Sequence, residues 1–358
     1  MKHSLLKHAF LFVCIILFGQ ISKAQQVIIT DAAQFSLSVD GAVDINANLI
    51  NNSPNASLAG TFSFVGTVPY EISGTEPVEF ANLIINNTEG ISLHTDVMVN
   101  TGLNLISGTV NLLNNDLTIR SAANISGSFS AANMIIIDGS GALKREIAED
   151  GTYIFPIGDT TGMIDYSMAS LIFTSGTYSD ALVSVIVKNE KHPENTSTTD
   201  YINRYWTISQ TGITDFECDL SFLYPNEDIQ GAESNIWGAK WDGSQWTMLN
   251  DASMNQFTGT VNDFSDFSAG EKTILSIDDQ LTVDDIDIII DNNNIIIRSD
   301  KNVKLKKVEF YSLLGQLIYS KDLNGTSVNE ISFNASSDYY IAKIYTENQF
   351  VSKKIYIN

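Results

Sequence analysis

The sequence predicts an all-β protein of three regions in series: a β-solenoid-like N-terminal region, an antiparallel β-sandwich and a small C-terminal Ig-like β-sandwich. Three observations predict it. Short apolar runs recur every six or seven residues through residues 25–140, separated by Gly and Asn. Longer strands follow in residues 141–272, with a hairpin signal at Asp242-Gly243. Paired apolar runs then fill residues 284–358. The repeat region shows no 3.6-residue period, so it does not read as helix.

Residues 1–24 read as a secretory signal peptide. Lys2, His3, Lys7 and His8 precede the apolar run Ala9–Phe18, and Ser22-Lys23-Ala24 offers the small residues that a signal peptidase reads. The run makes about 15 Å of helix, too short for a hydrocarbon core of roughly 30 Å. Cleavage between Ala24 and Gln25 is expected. Cys14 lies inside the apolar run and follows Val13, which argues against a lipoprotein signal. No later segment is long and apolar enough to span a membrane, so the mature chain is expected to be soluble or surface-attached.

In residues 25–140 the runs include Leu83-Ile84-Ile85, Ile91-Ser92-Leu93, Val97-Met98-Val99, Leu103-Asn104-Leu105, Val110-Asn111-Leu112 and Leu117-Thr118-Ile119. Asn86-Asn87, Gly90, Gly102, Gly108 and Asn114-Asn115 stand between them, residue types that tolerate the positive φ of tight turns. Three strands per coil would give a right-handed β-solenoid with roughly 20 residues per rung and stacked Asn. The same runs could be hairpins of a sandwich. The short, regular turns favour the solenoid.

Residues 141–272 hold all four Trp. Ala181–Lys188 is apolar enough for a strand buried on most of both faces. Tyr205-Trp206-Thr207-Ile208, Leu220–Tyr224 and Trp237–Trp241 alternate, and Trp246 returns after the Asp242-Gly243 turn. With the signal gone, Cys218 is the single cysteine, so no intramolecular disulfide is expected. It reads as a small core residue, because acidic neighbours raise a thiol pKa and suppress reactivity. The acidic residues 273–283 read as a linker.

The third region contains three expected hairpins: Ile286–Ile290 with Ile295–Arg298, Val308–Tyr311 with Leu317–Tyr319, and Tyr339–Tyr345 with Val351–Ile357. The string Val308-Glu309-Phe310-Tyr311-Ser312-Leu313-Leu314-Gly315-Gln316-Leu317-Ile318-Tyr319 resembles the core motif of the type A-like C-terminal sorting domain of Bacteroidota type IX secretion cargo. Tyr340-Ile341-Ala342-Lys343 and the final strand with Lys353-Lys354 resemble that family's closing strands. The Asn-Pro turn and the Leu-Pro-x-Gly common in the family are absent; Asp291-Asn292-Asn293-Asn294 and Ser336-Ser337-Asp338 stand there instead. The resemblance implies export through the periplasm, passage through the outer membrane by the type IX secretion machinery, and removal of this domain by a sortase-like protease. The passenger would be secreted or held at the outer cell surface, through a surface polysaccharide. Phe80–Asn87 and the Gly141–Gly158 stretch are similar, more weakly, to passenger regions in the same pathway.

Charge narrows the function classes. The chain has 42 acids and 20 bases, a formal charge of −22 over 358 residues. Loss of residues 1–24 leaves 17 bases and a charge of −25, whereas residues 284–358, with ten acids and nine bases, are almost neutral. Such a chain repels phosphate backbones and acidic lipid surfaces, so nucleic-acid binding is not expected. Chemistry is sparse. His94 and His192 are the only mature histidines and read as surface residues, and no phosphate-binding or dinucleotide motif is present. Asp44-Ile45-Asn46-Ala47-Asn48 spaces oxygen ligands for calcium, but lacks the Gly and distal Glu of an EF-hand. Paired carboxylates for glycan hydrolysis cannot be picked from so many acids. Trp237, Trp241 and Trp246, with Trp206, offer either a platform for stacking on sugars or a sandwich core, and core is the commoner fate of Trp. Asn-x-Ser/Thr triplets at Asn55, Asn86 and Asn124 reflect abundant Asn. No catalytic residue, metal or cofactor is expected. The expectation is a non-enzymatic structural or adhesive surface protein; the alternative is a carbohydrate-binding protein or a polysaccharide-degrading β-solenoid enzyme, with an extracellular glycan as partner.

Overall fold

The computed structural model describes residues 25–30, 41–54, 56–272, 285–291, 294–299, 304–333, 336–346 and 350–357. The expected signal peptide with Ala24, the 273–283 linker and Asn55 lie outside the described residues. The chain is all-β. It divides into two units, residues 1–189 with 207–225, and residues 190–206 with 226–358.

The first unit is solenoid-like. One parallel ladder joins Gln25–Thr30, Ala47–Asn52, Tyr70–Gly74, Ile91–Leu93, Val110–Asn111, Ile135–Ile136 and Ile157–Asp159. A second joins Ala42–Ile45, Ser57–Gly66, Val78–Asn87, Val97–Ser107 and Leu117–Ile119. Register shifts at Leu58/Thr61 and Phe80/Asn82 divide its longest strands into two legs. One coil later the legs are separate strands, Leu117–Ile119 and Asn124–Gly127, both paired with Val97–Ser107. Each coil thus has three legs, as the recurrence of apolar runs requires. Leu49, Ile72 and Leu93 stand side by side in one buried column, and Phe80, Val99 and Ile119 in another. Each such side chain contributes about 1.5–3 kcal/mol by leaving water.

The turns carry the Asn signal in a form that differs from amide stacking. Asn and Asp side chains bond the backbone of the neighbouring coil. Asn48 Oδ1 accepts from Glu71 N–H, and Asn52 Oδ1 accepts from Thr75 N–H. The buried Asn51 and Asn87 donate to the carbonyls of Pro77 and Val68 at 2.6 and 2.7 Å. Backbone groups left over at a corner have no strand partner, and these amides satisfy them.

Parallel pairing continues past residue 140, where the sequence places the end of the repeat. Leu143–Ile147 pairs parallel with Leu117–Ile119 on one side and antiparallel with the 20-residue strand Ala169–Lys188 on the other. Gly151–Phe155 also pairs antiparallel with that strand. The expected boundary between solenoid and sandwich therefore falls inside a continuous hydrogen-bonded sheet. Arg145 takes the position beside Ile119 in the buried column. Its guanidinium lies 5.3 Å from the Tyr153 ring centroid and donates to the Ile154 carbonyl at 2.9 Å. Burial lowers its pKa.

In the second unit, Ile236–Trp241 pairs antiparallel with Trp246–Asp251 and with Asp266–Glu271. Asp242 supplies the turn, its Oδ1 accepting from the N–H groups of Ser244 and Gln245, both at 2.8 Å. The C-terminal residues form two antiparallel sheets around their own core. One contains Ile286–Asp291, Asn294–Ser299 and Val328–Ser332. The other has the order Leu317–Asp322, Lys307–Ser312, Asp338–Tyr345, Phe350–Ile357. All three expected hairpins are present; Val328–Ser332 is an additional strand.

Candidate functional site

The residues that carry the sorting resemblance lie together in the C-terminal module, but they divide between its faces. Strand alternation turns Val308 and Phe310 inward. Phe310 stacks on Phe333 with centroids 4.6 Å apart, and Tyr319 and Tyr340 pack on the same ring at 5.0 and 5.6 Å. Phe333 is thus the centre of the aromatic core. In sequence it is a lone aromatic between Ser332 and Asn334, which gives it no signal. Gly315 forms the hairpin turn at φ +84°, with its N–H donating to Ser312 O, while Gln316 N–H donates to Ser312 Oγ. Leu317 and Ile318 are exposed on the edge strand, and Leu314 at the tip is 98% exposed.

Tyr311, Ile341, Lys343 and Lys354 face away from that core. Lys353 and Lys354, adjacent in sequence, act on opposite sides. Lys353 Nζ donates to the Ile286 carbonyl of the other sheet at 2.6 Å, whereas Lys354 Nζ lies 4.3 Å from the Tyr339 ring centroid. Glu309, absent from the expected set, organises the outer face. Its carboxylate receives Lys307 at 2.6 Å and the hydroxyls of Tyr311 and Tyr345. These donors, Lys307 foremost, hold it at about 2.

The tryptophans divide as well. Trp241 and Trp246 face each other across the hairpin with centroids 5.3 Å apart. Trp246 is buried, and its Nε1–H donates to Glu194 O at 3.0 Å. Trp206 is fully buried, edge-on to Phe257. Trp237 is half-buried under Lys272, 5.4 Å away. A shared, open row of rings is not formed.

His192 corrects the expectation of a surface residue. It is 4% exposed and packs edge-on to Tyr205 and Trp246, each 4.9 Å away. Its loop is polar in sequence, but the ring is the loop's anchor in the aromatic cluster. Nδ1 accepts from Glu194 N–H at 3.1 Å, which leaves Nε2–H to donate to Asp266 at 3.2 Å. Both ring nitrogens are thus engaged within the protein. His94 is exposed, 3.8 Å from Glu71. Cys218 is buried, and burial pushes its thiol up to about 12, with Asp219 a lesser cause. In the Asp44–Asn48 stretch, Asn46 Oδ1 accepts from the Tyr70 hydroxyl and Asn48 Oδ1 from Glu71 N–H, so these oxygens serve the next coil. Compared with protein-family models and with curated proteins, the chain shows no match.

Proposed function

We propose that this chain is a non-enzymatic structural or adhesive protein, secreted or displayed at the outer cell surface. A signal peptide takes it to the periplasm and the type IX secretion machinery carries it out, with residues 284–358 as the sorting signal that a sortase-like protease removes. The observation that supports this reading is that the motif-bearing strands share a core of their own, built around Phe310, Phe333 and Tyr340. An address must fold and be removed as a unit, and a separate core permits that. The long ladders of the first unit suit a passive display role: stability accumulates coil by coil without disulfides. The burial of Trp206 and Trp246 supports core over sugar platform for that cluster. Deletion of residues 308–358 in the native host should trap the passenger in the periplasm. Surface delivery of that truncated chain at the full-length level would refute the sorting role.

A further inference from the structure

The outer face of the C-terminal sheet carries aromatic rings and lysines in register. Tyr339 stands opposite Tyr356, Ile341 opposite Lys354, Lys343 opposite Ser352 and Tyr345 opposite Phe350. Tyr339, Phe350 and Tyr356 are 46, 55 and 48% exposed. From Phe350 to Tyr356 the row spans about 20 Å of extended strand. Lys343 Nζ lies 3.7 Å from the Phe350 centroid, and Lys354 Nζ 4.3 Å from that of Tyr339.

The charge on this face is the informative part. Lys144, Lys240 and Lys307 each pair with a carboxylate. Among the described residues, Lys343 and Lys354 pair with none, in a chain with twice as many acids as bases. Glu309 on the neighbouring strand is taken up by Lys307, Tyr311 and Tyr345, and Asp338 accepts from Tyr339 N–H. Two ammonium groups without a carboxylate among the described residues, set over exposed rings, complement a ligand that offers apolar faces and negative charge together.

We propose that this face binds an acidic polysaccharide, with the Tyr339, Phe350 and Tyr356 rings stacking on sugar faces and Lys343 and Lys354 bonding uronate or phosphate groups. The contacts on either side are of the right kind. Rings supply desolvated area at low entropic cost, and each lysine, set over a ring, gains a charge-assisted hydrogen bond that no described carboxylate provides. The net negative charge of the chain does not forbid this, because at 0.15 M salt repulsion from distant carboxylates is screened beyond about 8 Å. This binding belongs to the chain that still carries residues 284–358, and it does not depend on the sorting role.

The test uses the uncleaved chain without its signal peptide, residues 25–358, in affinity electrophoresis and calorimetry at 0.15 M salt. The probes are polygalacturonate, alginate and a phosphomannan. Saturable binding to at least one is expected, with an affinity loss of about ten-fold or more in Lys343→Gln/Lys354→Gln and in Tyr339→Ala/Tyr356→Ala. The lysine pair is the safeguard should the tyrosine pair unfold, since among the described residues its ammonium groups hold no carboxylate and contact only rings at the surface. Absence of binding to all three probes, or binding unchanged in the lysine variant, would overturn the proposal. So would equal lysine-dependent binding to phosphatidylglycerol–phosphatidylcholine vesicles or to polyglutamate, which would assign the face to a membrane or an acidic peptide.

Discussion

Tyr311 and Tyr345 stand on neighbouring strands of the C-terminal sheet and donate their hydroxyl hydrogens to the same oxygen of Glu309, each at 2.6 Å. With Lys307 on the other oxygen, the carboxylate has three donors that bind it most strongly while it is ionised. Its folded pKa, about 2, lies below the ordinary value of 4.5. The stability it contributes is therefore fully present above pH 4.5 and is lost as pH falls towards 2. Amide protection of 307–312 and 338–345, corrected for intrinsic exchange, should decline across that window. Glu309→Gln should lower protection at pH 7 and remove this acid-dependent decline.

Gly108 turns at φ +92°, and a Cβ there would meet Asn87 O at 1.7 Å. Gly162 turns at φ +86° with nothing within 4 Å of its added Cβ. Gly162→Ala should cost only the conformational penalty, about 1–2 kcal/mol. Gly108→Ala adds a backbone collision between coils and should cost well beyond about 2 kcal/mol. Urea unfolding of the two variants gives the comparison; equal losses would show that the coils separate readily at this turn.

Trp246→Ala should remove about 3–5 kcal/mol from the second unit, the usual loss for a buried large aromatic. It deletes the partner of Trp241 and His192 and the bond to Glu194 O. Chemical denaturation followed by the remaining tryptophan emission measures it. A loss below about 1 kcal/mol would mean that the cluster is exposed in solution.

Cys218 should resist iodoacetamide at pH 8 in the folded protein and react fully in urea. Burial raises its pKa to about 12, so almost no thiolate is present to attack. Mass spectrometry of the alkylated chain reads this directly. Complete labelling of the folded protein would contradict the burial.

Much of this molecule is written locally. Runs such as Val97-Met98-Val99 and Leu117-Thr118-Ile119, with Gly108 and Asn114-Asn115 between legs, already specify extended segments and their turns. The three C-terminal hairpins were legible for the same reason. The outer-face site was less so. Lys343 and Tyr340 looked like one motif, yet alternation sends them to opposite faces. Glu309 gave no signal until Tyr345 arrived beside it from 36 residues away.

Local backbone preference already settles that the described residues are all-β and where most of their strands turn, and composition alone puts the negative charge on residues 25–283, because both depend on near neighbours or on none. Long-range pairing, by contrast, carries the ladder past residue 140, buries His192 and sends Lys353 and Lys354 to different faces. Those outcomes depend on which distant strands pair and in what register, and a shift of one residue in register reverses the face of every side chain.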